Sequence, residues 1–177
     1  IDALRITVGG APLEQIGLGD RVLTPADGVV GPDDFDSLIG RVAEVYLTDA
    51  ATGKLRVVSR AMERGAALSP RVLVEQVLSG PGIYETGVLA AAPQGVSKAD
   101  IEGVRIENGV ALVNLSGNFY RCCQQMDEAA ERNLVYALVN TLCGLQPVNK
   151  VRFFIEGQSV DALVTAISLR GALLPNP

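Results

Sequence analysis

The 177-residue chain contains no histidine, which removes the general base on which most nucleophilic catalysis depends. Ser-His-Asp and Cys-His groups both need an imidazole, so neither can be assembled from this sequence. Ser97 and Lys98 are adjacent and lack the Ser-x-x-Lys spacing of serine enzymes that use a lysine. The reactive side chains therefore predict no catalytic residue and no enzymatic activity.

The three cysteines, Cys122, Cys123 and Cys143, form no CxxC pair that would indicate a zinc or redox site. If the helix predicted below is continuous, Cys123 and Cys143 lie about 30 Å apart at 1.5 Å per residue. A disulfide needs Cα atoms within roughly 7 Å, and a bond between the adjacent Cys122 and Cys123 would be strained. We expect three unpaired, partly buried thiols.

Two groups of acidic residues were considered as functional sites. Asp33, Asp34 and Asp36 crowd one loop, but their spacing fits no EF-hand, so solvated carboxylates are expected there. Glu128 and Glu131 lie one turn apart on the predicted helix, where an exposed helix face explains them better than an acid–base pair. The sequence predicts no metal site.

Cofactor and nucleic-acid sites are not indicated either. Gly80-Pro81-Gly82 follows a predicted helix instead of a strand, and Glu85 occupies the third glycine position of a dinucleotide-binding loop. The net charge of -5 argues against the basic surface that nucleic acids require. We therefore expect no cofactor and no nucleic-acid partner.

The composition indicates a folded chain, with 48% apolar and 20% charged residues. Aromatic residues make up only 5%, so Val, Leu, Ile and Ala must build the core. No apolar run reaches the roughly 18 residues that a membrane span requires. The chain begins at Ile1 instead of Met, and we expect either a trimmed sequence or a mature form without its export signal.

The longest helical pattern runs over residues 124–144. Its apolar residues recur at helix spacing, Asp127 and Glu128 suit the positive end of the helix dipole, and Gly144 suits the C-terminal cap. A second helix is predicted to begin with Ser69 as N-cap and Pro70 at the first position. Gly80, Pro81 and Gly82 end it.

Strand patterns surround these helices. The predicted strands span residues 1–8, 42–48, 55–60, 101–107, 110–115 and 150–156. Asn108-Gly109 is the strongest hairpin turn signal, and Val110, Leu112 and either Val113 or Leu115 are expected to face the core. The fold class is therefore α+β, a two-layer sandwich whose mostly antiparallel sheet carries two helices on one face. The element order is strand-strand-helix-strand-strand-helix-strand.

The division into domains follows the change in composition near Gly40. Residues 1–40 are rich in Gly, Pro and Asp and read as an arm or linker, with a short strand near residues 21–23. Residues 41–177 form the compact domain. Residues 160–169 are predicted as either a short helix or an extended edge segment.

Several segments occur in an order that resembles the GerMN domain of sporulation and germination proteins. They are Leu73–Pro81, Ala92–Gly95, Ile101–Phe119, Leu138–Leu142 and Pro147–Gly157. The resemblance covers roughly residues 42–174 and makes residues 41–177 a GerMN-like domain. The arm before Gly40 and the segment with Cys122 and Cys123 lie outside the pattern.

The resemblance implies a fold similar to ring-building motifs and a non-catalytic, extracytoplasmic lipoprotein module. Such a module mediates protein–protein assembly in sporulation, germination or cell-envelope processes. Its expected partners are envelope proteins, with self-association as a further option, and a removed N-terminal lipid anchor is its expected link to the membrane. The shared residues are core and turn residues, so no catalytic, cofactor-binding or metal-binding residue is carried over.

The alternative is a binding or hydrolytic domain that acts on cell-wall sugars or peptides. It would require Asp100, Glu102 and Glu107 to converge in one pocket. Strand alternation argues against this, because neighbouring residues such as Ile101 and Glu102 face opposite sides of a sheet.

Val139 lies in the apolar stripe of the predicted long helix. The Val139→Asp variant would bury an unpaired carboxylate, and we expect it to lose several kcal/mol of unfolding free energy. Thermal denaturation checks this expectation, and a melting temperature like that of the wild type would show that the helix is misplaced.

Overall fold

The computed structural model describes residues 3–18, 21–31, 34, 42–62 and 68–176. The chain divides into two compact units, which are described separately. The first unit comprises Ile1–Ala43 and Arg60–Leu68, and the second comprises Glu44–Ser59 and Ser69–Pro177. No helix in these described ranges has both the length and the apolar character that a membrane crossing requires.

The described residues of the first unit form three two-stranded antiparallel ribbons. They pair β1 (Leu4–Arg5) with β6 (Val29–Val30), β2 (Thr7–Val8) with β3 (Ala11–Pro12), and β4 (Ile16–Leu18) with β5 (Arg21–Leu23). The predicted strand near residue 22 is confirmed. The single strand predicted over residues 1–8 is instead divided at Ile6, whose backbone N–H donates to the carbonyl of Gly28 at 2.8 Å.

Strands of two or three residues are too short to show a period in the sequence, which explains why the prediction included only one of them after Gly9. Asp34 is described, and one of its carboxylate oxygens accepts a hydrogen bond from the Gly31 N–H at 2.8 Å. Asp33 and Asp36 lie outside the described residues. The domain boundary at residue 40 stays a prediction.

A hairpin begins the second unit. Strands β7 (Val42–Asp49), β8 (Leu55–Ala61) and β9 (Val88–Leu89) form a sheet in the order β8-β7-β9. The turn between β7 and β8 is closed by Asp49, whose Oδ1 accepts hydrogen bonds from the Thr52 N–H and hydroxyl, both at 2.9 Å. This confirms the predicted hairpin and adds a short third strand.

The second sheet contains β10 (Ile101–Glu107), β11 (Val110–Leu115) and β12 (Lys150–Ile155), in that order. Strands β10 and β11 are antiparallel across Asn108 and Gly109, whose φ angles of 51° and 77° suit a tight hairpin turn. Strand β12 runs parallel to β11. The fold is thus α+β with mostly antiparallel pairing, as the sequence predicted.

Three α-helices lie wholly within the described residues, one more than predicted. They are α1 (Pro70–Leu78), α2 (Gly117–Cys123) and α3 (Glu128–Cys143). Ser69 caps α1 as predicted and accepts a hydrogen bond from the Val72 N–H at 3.3 Å. The long helix begins later than predicted, with Asp127 as its N-cap, because the unpredicted helix α2 precedes it.

The core of the second unit lies between the helices and one face of the β10–β11–β12 sheet. Helix α3 packs against α1 and β12, and α1 also packs against β10. The buried positions of β11 are Ala111, Val113 and Leu115. The prediction for the core face was therefore wrong for Val110 and Leu112 and right for its alternatives Val113 and Leu115. Five of the six residues of β11 are apolar, and such a strand shows no alternation from which its buried face can be read.

Helix α3 carries a buried carboxylate. Glu131 has no solvent exposure, although its position in the first turn predicted an exposed helix face; Glu128 is exposed as predicted. The two oxygens of Glu131 accept four backbone N–H groups, from residues 163–166, at 2.6–3.1 Å. Four such donors replace the water that a buried carboxylate loses.

Three other polar side chains of α3 also form hydrogen bonds with the backbone of segments that are distant in the sequence. Asn133 donates to the carbonyl of Gly53 at 2.8 Å, and the Thr141 hydroxyl accepts the N–H of Tyr46 at 3.0 Å. Asn140 and Asn176 exchange two hydrogen bonds, at 2.9 and 3.0 Å. The helix therefore fixes the hairpin turn, strand β7 and the end of the described chain.

The segment after β12 forms neither the helix nor the extended strand that were considered for residues 160–169. It is a closed loop in which the Leu169 N–H donates to the carbonyl of Asp161 at 2.7 Å. Arg170 adds two hydrogen bonds to the Asp161 carboxylate, at 2.9 and 2.8 Å. Leu163, Ile167 and Leu169 are buried, so the loop covers part of the core.

The Glu131 contacts generate a stability prediction with a matched control. Glu131→Gln replaces one acceptor oxygen by an NH₂ group that faces backbone donors, so we expect a loss of about 2–4 kcal/mol in unfolding free energy. Glu128→Gln, on the exposed side of the same turn, should stay within about 0.5 kcal/mol of the wild type. Urea denaturation followed by circular dichroism measures both, and equal losses would contradict the assigned role of Glu131.

Candidate functional site

The second sheet has an open face, opposite the buried residues of its three strands. The strand register arranges this face in three rows across β10, β11 and β12: Glu107, Val110 and Lys150; Arg105, Leu112 and Arg152; Gly103, Asn114 and Phe154. Exposed or half-buried residues of both charges and two large apolar side chains share this surface. We call it the open face.

A groove of about 400 Å³ crosses the open face. Its walls and floor include Glu102, Gly103, Arg105, Leu112, Asn114 and Phe154. The volume lies at the lower end of the range of roughly 300–1,000 Å³ that is usual for small-molecule sites. The groove is the candidate ligand site of the second unit.

Hydrogen bonds fix the polar wall of the groove. The Asn114 amide donates to Oε2 of Glu102 at 2.8 Å and accepts the N–H of Gly157 at 2.8 Å. Arg105 donates to Glu107 at 2.7 Å, in a pair whose side chains are both more than half exposed. Each charged group of the wall thus has a partner.

The aromatic side of the groove is held by Arg152. Its guanidinium carbon lies 5.1 Å from the centroid of the Phe154 ring, within the range of a cation–π contact. The same guanidinium donates from Nη2 to the Ser159 hydroxyl at 3.2 Å. Its Nε is buried and has no hydrogen-bond partner among the described residues.

The three carboxylates of the alternative hypothesis do not converge. Asp100 precedes β10 and is buried, Glu102 lines the groove, and Glu107 lies at the far end of the strand with Arg105. The seven residues of β10 separate Asp100 from Glu107 by roughly 20 Å at 3.3 Å per residue. These residues therefore supply no acid–base pair for hydrolysis.

Asp100 has a structural role. Its carboxylate accepts hydrogen bonds from the Ser97 N–H at 2.8 Å, the Ser116 hydroxyl at 2.6 Å and the Asn118 amide at 3.0 Å. Burial opposes the ionisation of Asp100, but the hydrogen bonds from Ser116, Ser97 and Asn118 outweigh it and lower the pKa of Asp100. Ser97, considered above as a nucleophile, instead caps the short helical turn before β10.

The cysteines are three free thiols, as predicted. Burial, together with smaller electrostatic contributions from Cys122 and Glu131, raises the pKa of Cys123 to about 12. Burial also raises the pKa of Cys143. Thiols in such surroundings are protonated at neutral pH and are poor nucleophiles. No cluster of metal-ligating side chains occurs in the part of the chain that the structure describes.

A second exposed feature lies in residues 80–87, which we call the 80–87 loop. Ile83 and Tyr84 form its tip, and each is 91% exposed. No helix, strand or site was predicted for these two residues. The signal was present, since two large apolar residues stand between Gly-Pro-Gly and Thr-Gly in a segment of turn residues.

The 80–87 loop is braced by backbone and side-chain hydrogen bonds. Glu85 closes the tip, because its carboxylate accepts the Gly82 N–H at 2.9 Å and its own N–H donates to the Gly82 carbonyl at 3.0 Å. At the base of the loop, Arg56 donates to the Thr86 carbonyl at 2.9 Å. The Ala50 N–H donates to the Gly87 carbonyl at 3.0 Å. The tip is therefore held in place without packing its own side chains.

Comparisons with known proteins agree with this fold. The model of the Germane family, described as sporulation and spore germination, matches residues 44–161. The first GerMN domain of the sporulation protein GerM from Bacillus subtilis superposes with a TM-score of 0.61 at 18% identity, covering 76% of this chain and 97% of that domain. No curated protein sequence matches the chain significantly.

Two further solved structures share the fold. The tandem GerMN domains of the same GerM protein match with a TM-score of 0.61 at 18% identity, covering 76% of this chain but 46% of theirs. This chain therefore spans about half of the tandem structure. A candidate lipoprotein from Clostridium perfringens matches with a TM-score of 0.52 at 16% identity, covering 76% of this chain and 87% of that one.

The lowered pKa of Asp100 predicts a dependence of stability on pH. A carboxylate with a lowered folded-state pKa stabilises the fold above its unfolded value, here 3.8, and this contribution is lost as the pH falls through the folded value. The difference in unfolding free energy between wild type and Asp100→Asn should be constant above pH 3.8 and should narrow below it. Urea titrations at several pH values measure this difference, and a difference that widens in acid would contradict the assignment.

Proposed function

Because this chain belongs to the Germane family of sporulation and spore germination domains, we propose that it is a non-catalytic module that mediates protein–protein assembly. In this proposal the full gene product works outside the cytoplasmic membrane, where an N-terminal lipid anchor tethers it. It acts there in sporulation, germination or cell-envelope processes. Likeness to the Clostridium perfringens candidate lipoprotein supports the tethered location.

The observation that carries the assembly role is the exposed pair Ile83 and Tyr84. Both side chains are exposed on a braced loop, so they do not contribute the stability that burying them would give the fold. A large aromatic residue at a fixed position is the kind of group that dominates binding energy in protein interfaces. Because the 80–87 loop is already ordered, a partner would lose little entropy in fixing it.

A protein partner fits this tip better than a lipid surface does. Binding to an anionic bilayer is usually strengthened by clustered Lys and Arg near the inserted residues. The 80–87 loop contains Glu85 and no basic residue, and the chain as a whole carries a net charge of -5. Two side chains also offer less area than the roughly 800 Å² per partner of a stable interface, so neighbouring surface must contribute.

The proposal that the module is non-catalytic is supported by the hydrogen bonding and burial of the side chains that were candidates for catalysis. Asp100 is engaged by three donors, Glu107 by Arg105, and the Cys123 thiol is buried with a raised pKa. A site for acid–base or nucleophilic chemistry needs two such groups within hydrogen-bond reach of one substrate position. Measured turnover on wall peptides or sugars would contradict this proposal.

Photocrosslinking in cells that produce the full protein tests the assembly role. We expect p-benzoylphenylalanine at position 84 to give a discrete crosslinked product, whose protein partner mass spectrometry identifies. The same residue at position 128, which is also exposed, should not give that product. Equal crosslinking from both positions, or none from position 84, would contradict the role of the 80–87 loop.

A second variant separates loss of binding from loss of folding. The double variant Ile83→Ser, Tyr84→Ser should keep the unfolding free energy within about 1 kcal/mol of the wild type, because both side chains are exposed. It should lose co-purification with the partner found by crosslinking. Retained co-purification at unchanged stability would show that the partner binds elsewhere.

A further inference from the structure

The most informative residue of the open face is Gly103, which lies inside strand β10. Glycine weakens a strand interior, and where nothing in the fold requires it, it often marks a place where another molecule comes close to the backbone. We propose that the groove over Gly103 is a binding site for an uncharged saccharide. This site is separate from the 80–87 loop and does not depend on the assembly role.

The fold itself does not require glycine at position 103. An added Cβ atom would meet no heavy atom within 4 Å, and the φ of Gly103 lies outside the left-handed region. The register shifts between Ile101 and Gly103, but a bulge with this backbone conformation accepts an ordinary side chain. What the glycine does leave is open space on the groove floor, since the residue lines the groove.

A side chain at position 103 would enter that space. Gly103 is paired with Asn114 in the strand register, so its missing side chain would stand on the same face as Asn114. The Asn114 amide already forms one wall of the groove, tied to Glu102 and to the backbone of Gly157. Gly103 therefore leaves the groove open, and the hydrogen bonds of Asn114 hold its wall in place before any ligand binds.

The charges of the groove favour a neutral ligand. Glu102 and Arg105 are the charged residues that line it, and their charges are of opposite sign. Arg105 is paired with the carboxylate of Glu107. The Arg152 guanidinium over Phe154 adds a second positive charge beside the Glu102 carboxylate. The four charged groups in and around the groove thus carry two charges of each sign, and an ionic ligand would meet no excess of either sign. Glu102 and Arg105 still have hydrogen-bonding capacity toward neutral hydroxyl groups, because a carboxylate accepts and a guanidinium donates several bonds.

The remaining lining residues indicate a ligand with an apolar face. Phe154 and Leu112 offer adjacent apolar surface, and Arg152 over the aromatic ring limits its movement. A pyranose ring combines a face of C–H groups with a rim of hydroxyls, which matches an apolar floor beside carboxylate, amide and guanidinium groups. A peptide that extends the sheet would instead bind along a strand edge, whereas this groove crosses the faces of three strands.

Titration of the ¹⁵N-labelled protein with two uncharged trisaccharides, chitotriose and maltotriose, tests the proposal by NMR. At least one should shift the amide signals of Gly103, Asn114 and Gly157 saturably. Gly103→Gln should weaken that binding about tenfold or more by filling the groove, as should Phe154→Ala by removing the apolar contact. The matched control is Gly171→Gln, where an added Cβ also meets no atom, and it should bind like the wild type.

Three outcomes would overturn the proposal. The first is the absence of saturable shifts with either trisaccharide up to about 10 mM, which would exclude useful affinity. The second is unchanged binding in Gly103→Gln, provided that its spectrum shows a folded protein, because the ligand would then lie elsewhere. The third is saturable shifting of the same amides by an uncharged peptide, acetyl-trialanine amide, without any response to the saccharides, which would assign the groove to peptides.

Discussion

The four hydrogen bonds to the Glu131 carboxylate are the interaction on which the second unit most depends. They bind residues 163–166 to the long helix and so hold a loop whose Leu163, Ile167 and Leu169 are buried in the core. A carboxylate without exposure is tolerated only when donors replace its water, and here the loop backbone supplies all four. Asn140 and Thr141 extend the same principle along the helix.

This arrangement separates the residues that hold the fold from the surfaces that we propose for binding. Polar groups inside the second unit are largely satisfied by the chain itself, as Asp100 and Glu131 show. The two surfaces proposed for recognition, the open face and the 80–87 loop, are both supported by hydrogen-bonded backbone. Rigid support of this kind is what presents side chains to a ligand in a fixed geometry.

The sequence predicted the elements whose signals are local. The two longer helices, the hairpin at Asn108-Gly109 and the strand at residues 150–156 follow from apolar periods, caps and turn residues. Helix α2 was missed because its seven residues carry no repeat of an apolar face. The burial of Glu131 was not predicted because a glutamate is favoured in a first helical turn in any case. Its local sequence does not show whether solvent or a loop some thirty residues later contacts the carboxylate.

The candidate sites were not predictable either, because they depend on residues that are distant in the sequence. The groove depends on a register that brings Gly103, Asn114 and Phe154 side by side from three strands. Nothing in the local pattern of β11 shows that Leu112 faces outward. The expectation of no catalytic residue needed no structural context, since the absence of histidine is a property of the whole chain.

The parallel pairing of β11 with β12 also constrains the order in which the second unit can assemble. The β10–β11 hairpin closes across two residues, so it can form early from local contacts. Strand β12 can join only after the chain has passed through α2 and α3, and the loss of loop entropy delays that step. Strand β12 and the loop that donates to Glu131 should therefore form late in folding. In a nascent chain that ends before residue 150, the edge of β11 would be uncovered.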